Sequence, residues 1–323
     1  MSVAAVAIGR NEGERLERCL ASMQGVADAL IYVDSGSTDG SVAAARAAGA
    51  EVVELDMSVP FTAARARNAG FAALAERGID ADFVQFVDGD CGLVEGWIPA
   101  ARAALEADPK LGIVTGWRSE IHRDASVYNQ LCDFEWRRPA GPIITCGGDM
   151  MVRREAFEQA GGFDPTVIAA EDDEFCVRVR GKGWTMERLP LEMTRHDAAM
   201  TTFGQWWKRA VRSGHGFAQV GWLHPEFFVA ERRRVWFYGG VLPGIALFGI
   251  LFVSLLVVIP VLAVYALSYW RTVQGLVREG LPAEEARRHG IFLTLSKFPN
   301  IIGMLTFHWR RWRGSAMRII EYK

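Results

Sequence analysis

The sequence predicts an α/β fold, in which a mostly parallel sheet carries helices on both faces, followed by a membrane-associated helical segment. Over the first 230 residues, short apolar runs alternate with helical patterns, and polar clusters follow several of these runs. Residues 235–270 then form a stretch of 36 residues without a charge. This stretch exceeds the roughly 20 residues that cross a bilayer as a helix. The chain is therefore expected to divide near residue 232.

Composition indicates a globular protein and excludes several functional classes. The 323 residues include 36 Lys and Arg against 38 Asp and Glu, a net charge of −2, so the chain as a whole lacks the polybasic character of nucleic-acid-binding proteins. Five cysteines without CxxC spacing indicate neither a disulfide framework nor a zinc-thiolate site. The N-terminus has no basic segment, so we expect no signal peptide and a first domain that stays in the cytosol.

Four strands are predicted in the first 90 residues. They cover residues 3–8, 29–33, 51–55 and 83–87, and the longest intervening helix covers about residues 63–76. The carboxyl ends of parallel strands meet at one edge of an open sheet, where ligands bind. The polar clusters that follow these strands are therefore expected to converge at this edge.

The tripeptide Asp88-Gly89-Asp90 carries the clearest chemical signal. Two carboxylates one residue apart at the end of a buried strand can bind a hard divalent cation, and the glycine lets both bend inward. Such a cation would bridge phosphate oxygens. The same tripeptide also makes ordinary turns. Asp34 and Asp39 follow another strand in the same way, which favours the binding site.

Three further segments are candidates for a binding or catalytic site. Arg65, Arg67 and Asn68 are suited to a diphosphate or a sugar, although a solvated helix face also explains the two arginines. An apolar strand is predicted just before Cys146, and the two glycines that follow it at residues 147–148 either form a tight turn or let a ligand approach the backbone. The acidic run at residues 171–174 would complement a helix dipole, but four carboxylates exceed that need. Their mutual repulsion should raise the pKa of at least one, which suits a general base.

Together, these motifs resemble the inverting family 2 glycosyltransferases of the GT-A fold, over roughly residues 1–220. The matching segments are VAIGRNE (6–12), VDSGSTDGS (33–41), RARNAG (65–70), FVDGDC (86–91), CGGDMMVRREAFEQAGGFD (146–164) and EDDEFCVRVR (171–180). The resemblance implies a metal-dependent transferase that takes a nucleotide-diphosphate sugar as donor.

The resemblance also implies a role for each site residue. Those expected to bind the donor nucleotide are Asn11, Glu12, Asp34, Ser35, Asp39, Arg65, Asn68, Asp88 and Gly89. Those expected to bind Mn²⁺ or Mg²⁺ are Asp88, Asp90 and His196, because a histidine at this place completes the metal shell in several family members. Those expected to bind the acceptor are Gly147, Gly148, Asp149, Glu171 and Arg209. The family's Glu-Asp motif places the catalytic base at Asp172, next to Glu171 and Asp173.

Two of these assignments have alternatives. A lone histidine such as His196 is more often structural than a ligand. The segment at residues 205–209, QWWKR, is similar to the QxxRW motif of processive relatives, but Lys208 and Arg209 replace its Arg-Trp pair, which argues against processive polymerisation. The alternative is an interfacial helix with its tryptophans toward lipid.

The predicted organisation is a catalytic domain at residues 1–232 and a membrane segment at residues 233–323. The catalytic domain comprises a nucleotide-binding half, 1–91, and an acceptor half, 92–232. Because nucleotide sugars are cytosolic, we expect this domain to face the cytoplasm at the inner membrane, with the basic C-terminal arm on the same side. A hairpin that bends between Ser254 and Pro260 would achieve this, and residues 291–312 would form an interfacial helix.

A membrane enzyme suggests a membrane acceptor, such as a polyprenyl-diphosphate-linked sugar or another glycolipid of surface polysaccharide assembly. No nucleic acid partner is expected. One alternative is a sugar nucleotidyltransferase, although the long Gly-rich pyrophosphate loop expected after its first strand is missing. The other is a catalytically inactive membrane adaptor, against which the joint presence of Asp34, Asp88, Asp90 and Asp172 argues.

Overall fold

A nine-stranded mixed sheet forms the first of two units in this protein. We describe residues 1–321 from a computed structural model. The first unit contains residues 1–125 and 132–199, and the second contains residues 126–131 and the chain from residue 200 onward. The strands are β1 (Val3–Gly9), β2 (Ala29–Asp34), β3 (Glu51–Glu54), β4 (Phe83–Asp88), β5 (Cys91–Leu93), β6 (Leu111–Glu120), β7 (Gly141–Pro142), β8 (Met150–Arg153) and β9 (Thr185–His196).

The strand order is β3-β2-β1-β4-β8-β6-β9-β5, with β7 paired to β9. All four strands predicted in the first 90 residues are present, and they pair in parallel around β1. Beyond β4 the sheet is mixed, because β8 runs antiparallel to both of its neighbours. The α/β class is confirmed: four strands are parallel around β1, β6 and β9 also pair in parallel, and the remaining pairs are antiparallel.

Helices cover both faces of this sheet. They are α1 (Glu14–Ala21), α2 (Ser41–Ala47), α3 (Ala63–Glu76), α4 (Trp97–Ala107), α6 (Arg154–Ala160) and α7 (Glu171–Gly181), whereas α5 (Val127–Trp136) lies between β6 and β7 along the chain. Alternate residues of β1 point to opposite faces, so Val6 packs with α3, α6 and α7, whereas Ala5 packs with α1, α2 and α4. The central strands β1 and β4 are buried on both sides, which explains their nearly continuous apolar sequences.

One predicted strand is wrong. An apolar strand was expected to end just before Cys146, but residues 143–149 form a loop and the strand β8 begins only at Met150. The loop passes against a buried arginine: a Cβ atom on Gly148 would lie 1.9 Å from Nη2 of Arg67. Residues 143–149 therefore pack around the Arg67 guanidinium instead of pairing as a regular strand.

The second unit is helical. It contains α8 (Phe203–Leu223), α9 (Val229–Val235), a π-helical segment (Trp236–Val241), α10 (Leu242–Phe252), α11 (Val258–Arg278), α12 (Ala283–Leu295) and α13 (Lys297–Trp312). By length and composition, three stretches of the described chain could cross a membrane: Val229–Phe252, Leu255–Arg278 and Ala283–Trp312.

The apolar stretch folds as a helical hairpin. The helical path breaks after Phe252, and α10 and α11 pack against each other. This reversal lies at the predicted bend. The interfacial helix predicted over residues 291–312 is instead divided into α12 and α13 at Ser296. Pro299 explains the division, because its ring would clash with the carbonyl of Leu295 in one continuous helix.

Glycines bring α8 and α13 into backbone contact. A Cβ on Gly303 would lie 1.9 Å from the carbonyl oxygen of Val211, and one on Gly214 would lie 2.0 Å from that of Asn300. Because α8 packs on α13, it groups with the second unit, and the compact units divide at about residue 200. The division near residue 232 remains a prediction about independently folding domains.

Candidate active site

Three loops meet where β1, β2 and β4 end. The backbone N–H of Gly89 donates to the carbonyl of Ile8 (2.7 Å), and that of Ser35 donates to the carbonyl of Gly9 (3.0 Å). A Cβ on Gly89 would lie 3.0 Å from the same Ile8 oxygen. Glycine at this position therefore allows the loop after β4 to lie directly on the loop after β1.

Asp34 shapes the loop after β2. Its Oδ2 accepts hydrogen bonds from the backbone N–H groups of Gly36 (2.9 Å) and Ser37 (2.8 Å), and its Oδ1 accepts one from the Tyr32 hydroxyl (3.0 Å). The carboxylate is buried. Asp34 thus fixes the loop conformation, and its predicted contact with a nucleotide base stays a prediction.

Asn11 joins the loops after β1 and β2. Its backbone N–H donates to Ser37 Oγ (2.8 Å), and its Oδ1 accepts from the backbone N–H of Thr38 (2.7 Å). Asn11 is exposed, with a left-handed φ of 56°. Asp39 is exposed nearby, and hydrogen bonds from Ser41 hold its pKa below the usual range. Glu12 forms an ion pair with Arg15 (2.9 Å).

Two residues assigned to the donor are held by backbone contacts. The Arg65 guanidinium donates to the carbonyls of Asp56, Val59 and Pro60 at 2.7–3.1 Å. The Asn68 amide donates to and accepts from the backbone of Phe163, at 2.7 and 2.8 Å. Arg65 therefore stabilises the loop before α3 and Asn68 the loop between α6 and α7, and the predicted roles of both in donor binding receive no support from these contacts.

Arg67 is the buried centre of the site. It is 2% exposed, and its guanidinium donates to Asp88 Oδ1 and to Glu171 Oε1, both at 2.8 Å. It also lies over the Phe163 ring, 5.3 Å from its centroid. Burial alone would lower the pKa of Arg67, but the two carboxylates outweigh it, so the guanidinium stays charged. Arg67 thereby links the end of β4 to the start of α7.

Arg118 is a second cation beside Asp88. Its Nη2 lies 2.6 Å from Asp149 Oδ2 and 3.4 Å from Asp88 Oδ2. Asp149 is 1% exposed; it also accepts from the Asp88 backbone N–H (2.9 Å) and from the Thr194 hydroxyl (2.9 Å). Burial would raise the pKa of Asp88, but Arg67 and Arg118 hold it below its usual value. The contacts of Asp149 are those of a buried structural residue, whereas the sequence assigned it to the acceptor.

Asp90 and His196 come together at the edge of this cluster. His196 lies at the end of β9, which pairs with β5, and its Nε2 is 3.2 Å from Asp90 Oδ2. Its Nδ1 lies 3.5 Å from Glu120 Oε2. Burial would lower the pKa of His196, but Asp90 and Glu120 outweigh burial and raise it. Two of the three predicted metal ligands are thus adjacent, while Asp88 is bound by the two arginines.

The donor atoms fit a hard or borderline divalent cation. Asp90 supplies a carboxylate, His196 supplies an imidazole, and Asp88 is the neighbouring carboxylate, a combination that suits Mn²⁺. The Cys91 sulfur lies within 4.8 Å of ligand atoms of both Asp90 and His196, but sulfur is a poor ligand for Mn²⁺ or Mg²⁺. The assignment of the metal to Asp88, Asp90 and His196 remains a prediction that this geometry supports.

Replacing Asp90 by Asn is expected to weaken Mn²⁺ binding by at least about 100-fold, because loss of partners outside the ligand shell already costs about 10–100-fold. Calorimetric titration of Mn²⁺ in the presence of a nucleoside diphosphate measures this. Asp197→Asn is the matched control, since it removes the same charge from the residue after His196, where the carboxylate pairs with Arg18 (3.5 Å). Unchanged affinity in Asp90→Asn would exclude Asp90 as a ligand.

The start of α7 holds the predicted base. Ala170, with a left-handed φ of 57°, precedes the helix, and Asp172 Oδ1 accepts from the backbone N–H of Asp173 (2.9 Å). Burial and the neighbouring Glu171 raise the pKa of Asp172 to about 7. A Cβ on Gly147 would lie 3.9 Å from Asp172 Oδ2, so this glycine leaves room beside the carboxylate. A carboxyl group that titrates near neutrality suits general-base catalysis.

The acceptor assignments divide between the two units. Gly147, Gly148 and Glu171 lie around Arg67 and Asp172 in the first unit. Arg209 lies on α8 in the second unit. The role of Arg118 and the central position of Arg67 were not predicted from the sequence. An arginine directly after the mostly apolar run LGIVTGW was the available signal for Arg118.

Fold and site together define the class of this protein: a mixed α/β sheet with acidic loops at its strand ends, the GT-A class of glycosyltransferase fold. The mannosyltransferase PcManGT from Pyrobaculum calidifontis, solved in complex with GDP-Man and Mn²⁺, has a similar fold. The TM-score is 0.58 at 16% sequence identity, and the match covers 96% of this chain and 87% of that one.

Two protein-family profiles match the sequence of this chain. The profile described as glycosyl transferase family 2 matches residues 6–161, and one described as the N-terminal domain of galactosyltransferase matches residues 127–201. The first profile covers just under half of the chain, and its match supports a glycosyltransferase of family 2.

Two curated relatives are similar over part of their length. The pre-mycofactocin glycosyltransferase of Mycobacterium tuberculosis is 27% identical over 233 residues, which cover 67% of this chain and 47% of the relative. A TPR repeat-containing protein of Synechococcus elongatus is 30% identical over 190 residues, covering 58% of this chain and 40% of the relative. The chain therefore spans less than half the length of either relative.

Proposed function

We propose that this protein is an inverting glycosyltransferase that moves a sugar from a nucleotide-diphosphate sugar to the hydroxyl group of an acceptor, with Asp172 as the base. The observation that carries this proposal is the buried bridge from Asp88 through Arg67 to Glu171. It fixes the helix start that bears Asp172 against the carboxylate that ends β4. A donor bound at the strand ends and a base at the helix start would then act on the same reaction.

The donor is proposed to bind over the loops after β1, β2 and β4. Asn11, Glu12, Ser35 and Asp39 lie on the first two of these loops, which are hydrogen-bonded to one another. The complex of PcManGT with GDP-Man and Mn²⁺ and the sugar transfer named for the mycobacterial relative support a nucleotide-sugar donor.

The proposed chemistry is a direct displacement. Asp172 accepts the proton from the acceptor hydroxyl as its oxygen bonds to the anomeric carbon. The bond from this carbon to the diphosphate breaks on the opposite side, and the electron pair leaves with the diphosphate, so the configuration inverts. Mn²⁺ or Mg²⁺, held by Asp88, Asp90 and His196, would stabilise the charge on the leaving diphosphate. Gly147 leaves space for the acceptor beside the base.

The acceptor is proposed to be membrane-linked, such as a polyprenyl-diphosphate-sugar or another glycolipid of surface polysaccharide assembly. Large apolar side chains are exposed where the helical hairpin turns: Phe252 is 73% exposed, and Leu255 and Leu256 are each 70% exposed. An exposed apolar surface of this kind indicates contact with a membrane. We propose that residues 233–323 hold the enzyme at the inner membrane, with the catalytic residues on the cytoplasmic side.

The test uses the full chain in detergent, incubated with Mn²⁺, radiolabelled UDP- or GDP-sugars and a bacterial lipid extract. We expect label in the lipid phase, release of nucleoside diphosphate, and a β-linked product from an α-linked donor. Retained configuration would exclude direct displacement, and label confined to water-soluble products would exclude the lipid acceptor. Pyrophosphate release from sugar 1-phosphate and a nucleoside triphosphate would instead identify a nucleotidyltransferase.

A further inference from the structure

We propose that a cavity within the second unit binds the phosphate of an anionic membrane lipid. The cavity has a volume of about 680 Å³ and is formed by α8, α9, the π-helical segment and α13. The residues that matter for the proposal are Trp222, Arg232, Arg233, Trp236, Phe237 and His308. This site is separate from the sugar donor and its acceptor, so the inference goes beyond the proposed function.

The charge of the lining selects an anion. Arg232 and Arg233 contribute two guanidinium groups, and no acidic residue is among the described residues that line the cavity. Guanidinium groups bind phosphate oxygens in a planar, two-pronged geometry. A third guanidinium, from Arg311, lies over the ring of Trp222, 3.4 Å from its centroid.

Arg232 is positioned before any ligand binds. Its Nη2 donates to the carbonyls of Pro225 and Phe227, which fixes the guanidinium at the start of α9. Gly221 makes room for it on α8, since a Cβ there would lie 2.5 Å from its Nε. Among residues 1–321, this buried Nε has no hydrogen-bond partner.

The position of the arginines along the chain favours a lipid over a soluble phosphate. Arg232 precedes Phe252, at the turn of the hairpin, by about 20 residues; at ~1.5 Å per residue this is about 30 Å. The hydrocarbon core of a bilayer is about 30 Å thick. A hairpin inserted to its turn therefore leaves these arginines at the level of the headgroups. The aromatic side chains of Trp236 and Phe237, about 40% exposed, would contact the glycerol and acyl region.

The experiment compares Arg233→Gln with Arg234→Gln in the full chain. Both arginines are exposed on α9 and neither side chain makes a hydrogen bond or ion pair within the part of the chain that the structure describes, but only Arg233 lines the cavity. Each variant, purified in detergent, is titrated with dihexanoyl phosphatidylglycerol, dihexanoyl phosphatidylcholine and glycerol 3-phosphate. Native mass spectrometry counts the bound ligand, and no sugar donor is present.

We expect one phosphatidylglycerol per chain, about tenfold weaker binding in Arg233→Gln, and binding within about twofold of the original protein in Arg234→Gln. Phosphatidylcholine should bind at least about tenfold more weakly, and millimolar glycerol 3-phosphate should not displace the lipid. Equal losses in the two variants would overturn the proposal in favour of general surface attraction. Equal binding of phosphatidylcholine, whose headgroup has a phosphate but no net charge, would overturn the preference for an anionic lipid, and displacement by glycerol 3-phosphate would indicate a site for soluble phosphates. None of these readouts depends on glycosyl transfer.

Discussion

Replacing Asp172 by Asn is expected to lower turnover by about 10²–10⁴-fold while donor affinity stays nearly unchanged, because a general base acts on the acceptor proton only in the transition state. Steady-state kinetics, together with calorimetric titration of the nucleoside diphosphate, separates these two quantities. The base must be ionised to act, and the pKa of Asp172 is about 7. The kcat/KM of the original protein should therefore fall about tenfold per pH unit below pH 7, and that of the variant should lose this dependence.

Asp173→Asn is the matched control, since it removes the adjacent carboxylate from the same helix turn. Asp173 is hydrogen-bonded to Thr145 and takes no part in proton transfer in the proposed mechanism. This variant should keep its maximal rate. Near-normal turnover in Asp172→Asn, or an equal loss in both variants, would contradict the assignment of the base.

Asp172→Asn should also stabilise the protein at high pH. The folded-state pKa of Asp172 lies above the usual value of 3.8, so folding disfavours its ionised form. The stability that the neutral carboxyl group contributes is fully present below about pH 4 and is lost as the pH rises through 7. Asp172→Asn should therefore raise the Tm at pH 8 and leave it nearly unchanged at pH 4, as measured by thermal unfolding.

Replacing Arg67 by Met is expected to destabilise the first unit by about 3–5 kcal/mol, which lowers the Tm by about 10 °C. The reason is the loss of the cation shared by Asp88 and Glu171, which would leave two carboxylates facing each other without compensation. Arg46→Met is the control: it breaks an ion pair with Glu54 in which both side chains are about 60% exposed, and exposed pairs contribute at most about 1 kcal/mol.

A second variant tests Arg67 without removing its charge. Gly148→Ala places a Cβ 1.9 Å from Nη2 of Arg67, so the guanidinium must move away from at least one carboxylate. We expect lower stability and lower turnover in this variant, because both the end of β4 and the start of α7 depend on that contact. A Tm of Arg67→Met equal to that of Arg46→Met would show that the buried bridge contributes little.

The N-terminal half of the fold could be predicted because the sequence signals for each strand lie within or directly after that strand. Each of the first four strands has its own apolar run and is followed by its own polar loop, and parallel pairing then brings the loop ends together. The loop at residues 143–149 was not predictable in this way. Its apolar residues suggest a strand, whereas its conformation depends on Arg67, some 80 residues earlier in the sequence.

The same distinction applies to the candidate site. Asp90 and Asp172 were found through short motifs, because their chemistry shows in adjacent residues. Arg118 and Asp149 pair only because β6 and β8 are neighbours in the sheet, and no spacing in the sequence predicts that pairing. Asn68 belongs to one of the matching motifs, but its side-chain amide is hydrogen-bonded to the backbone of Phe163. The motif alone did not predict this hydrogen bond.

The glycine contacts between α8 and α13 impose an order on the biosynthesis of this chain. Helix α8 leaves the ribosome roughly 80 residues before α13, which corresponds to about 4–16 s at translation rates of about 5–20 residues per second. During that interval the groove at Gly214, which fits the backbone at Asn300, has nothing against it. Both helices of the hairpin are synthesised within the same interval. The second unit therefore cannot close until the hairpin has emerged, and a chain that stops before residue 297 can never close it.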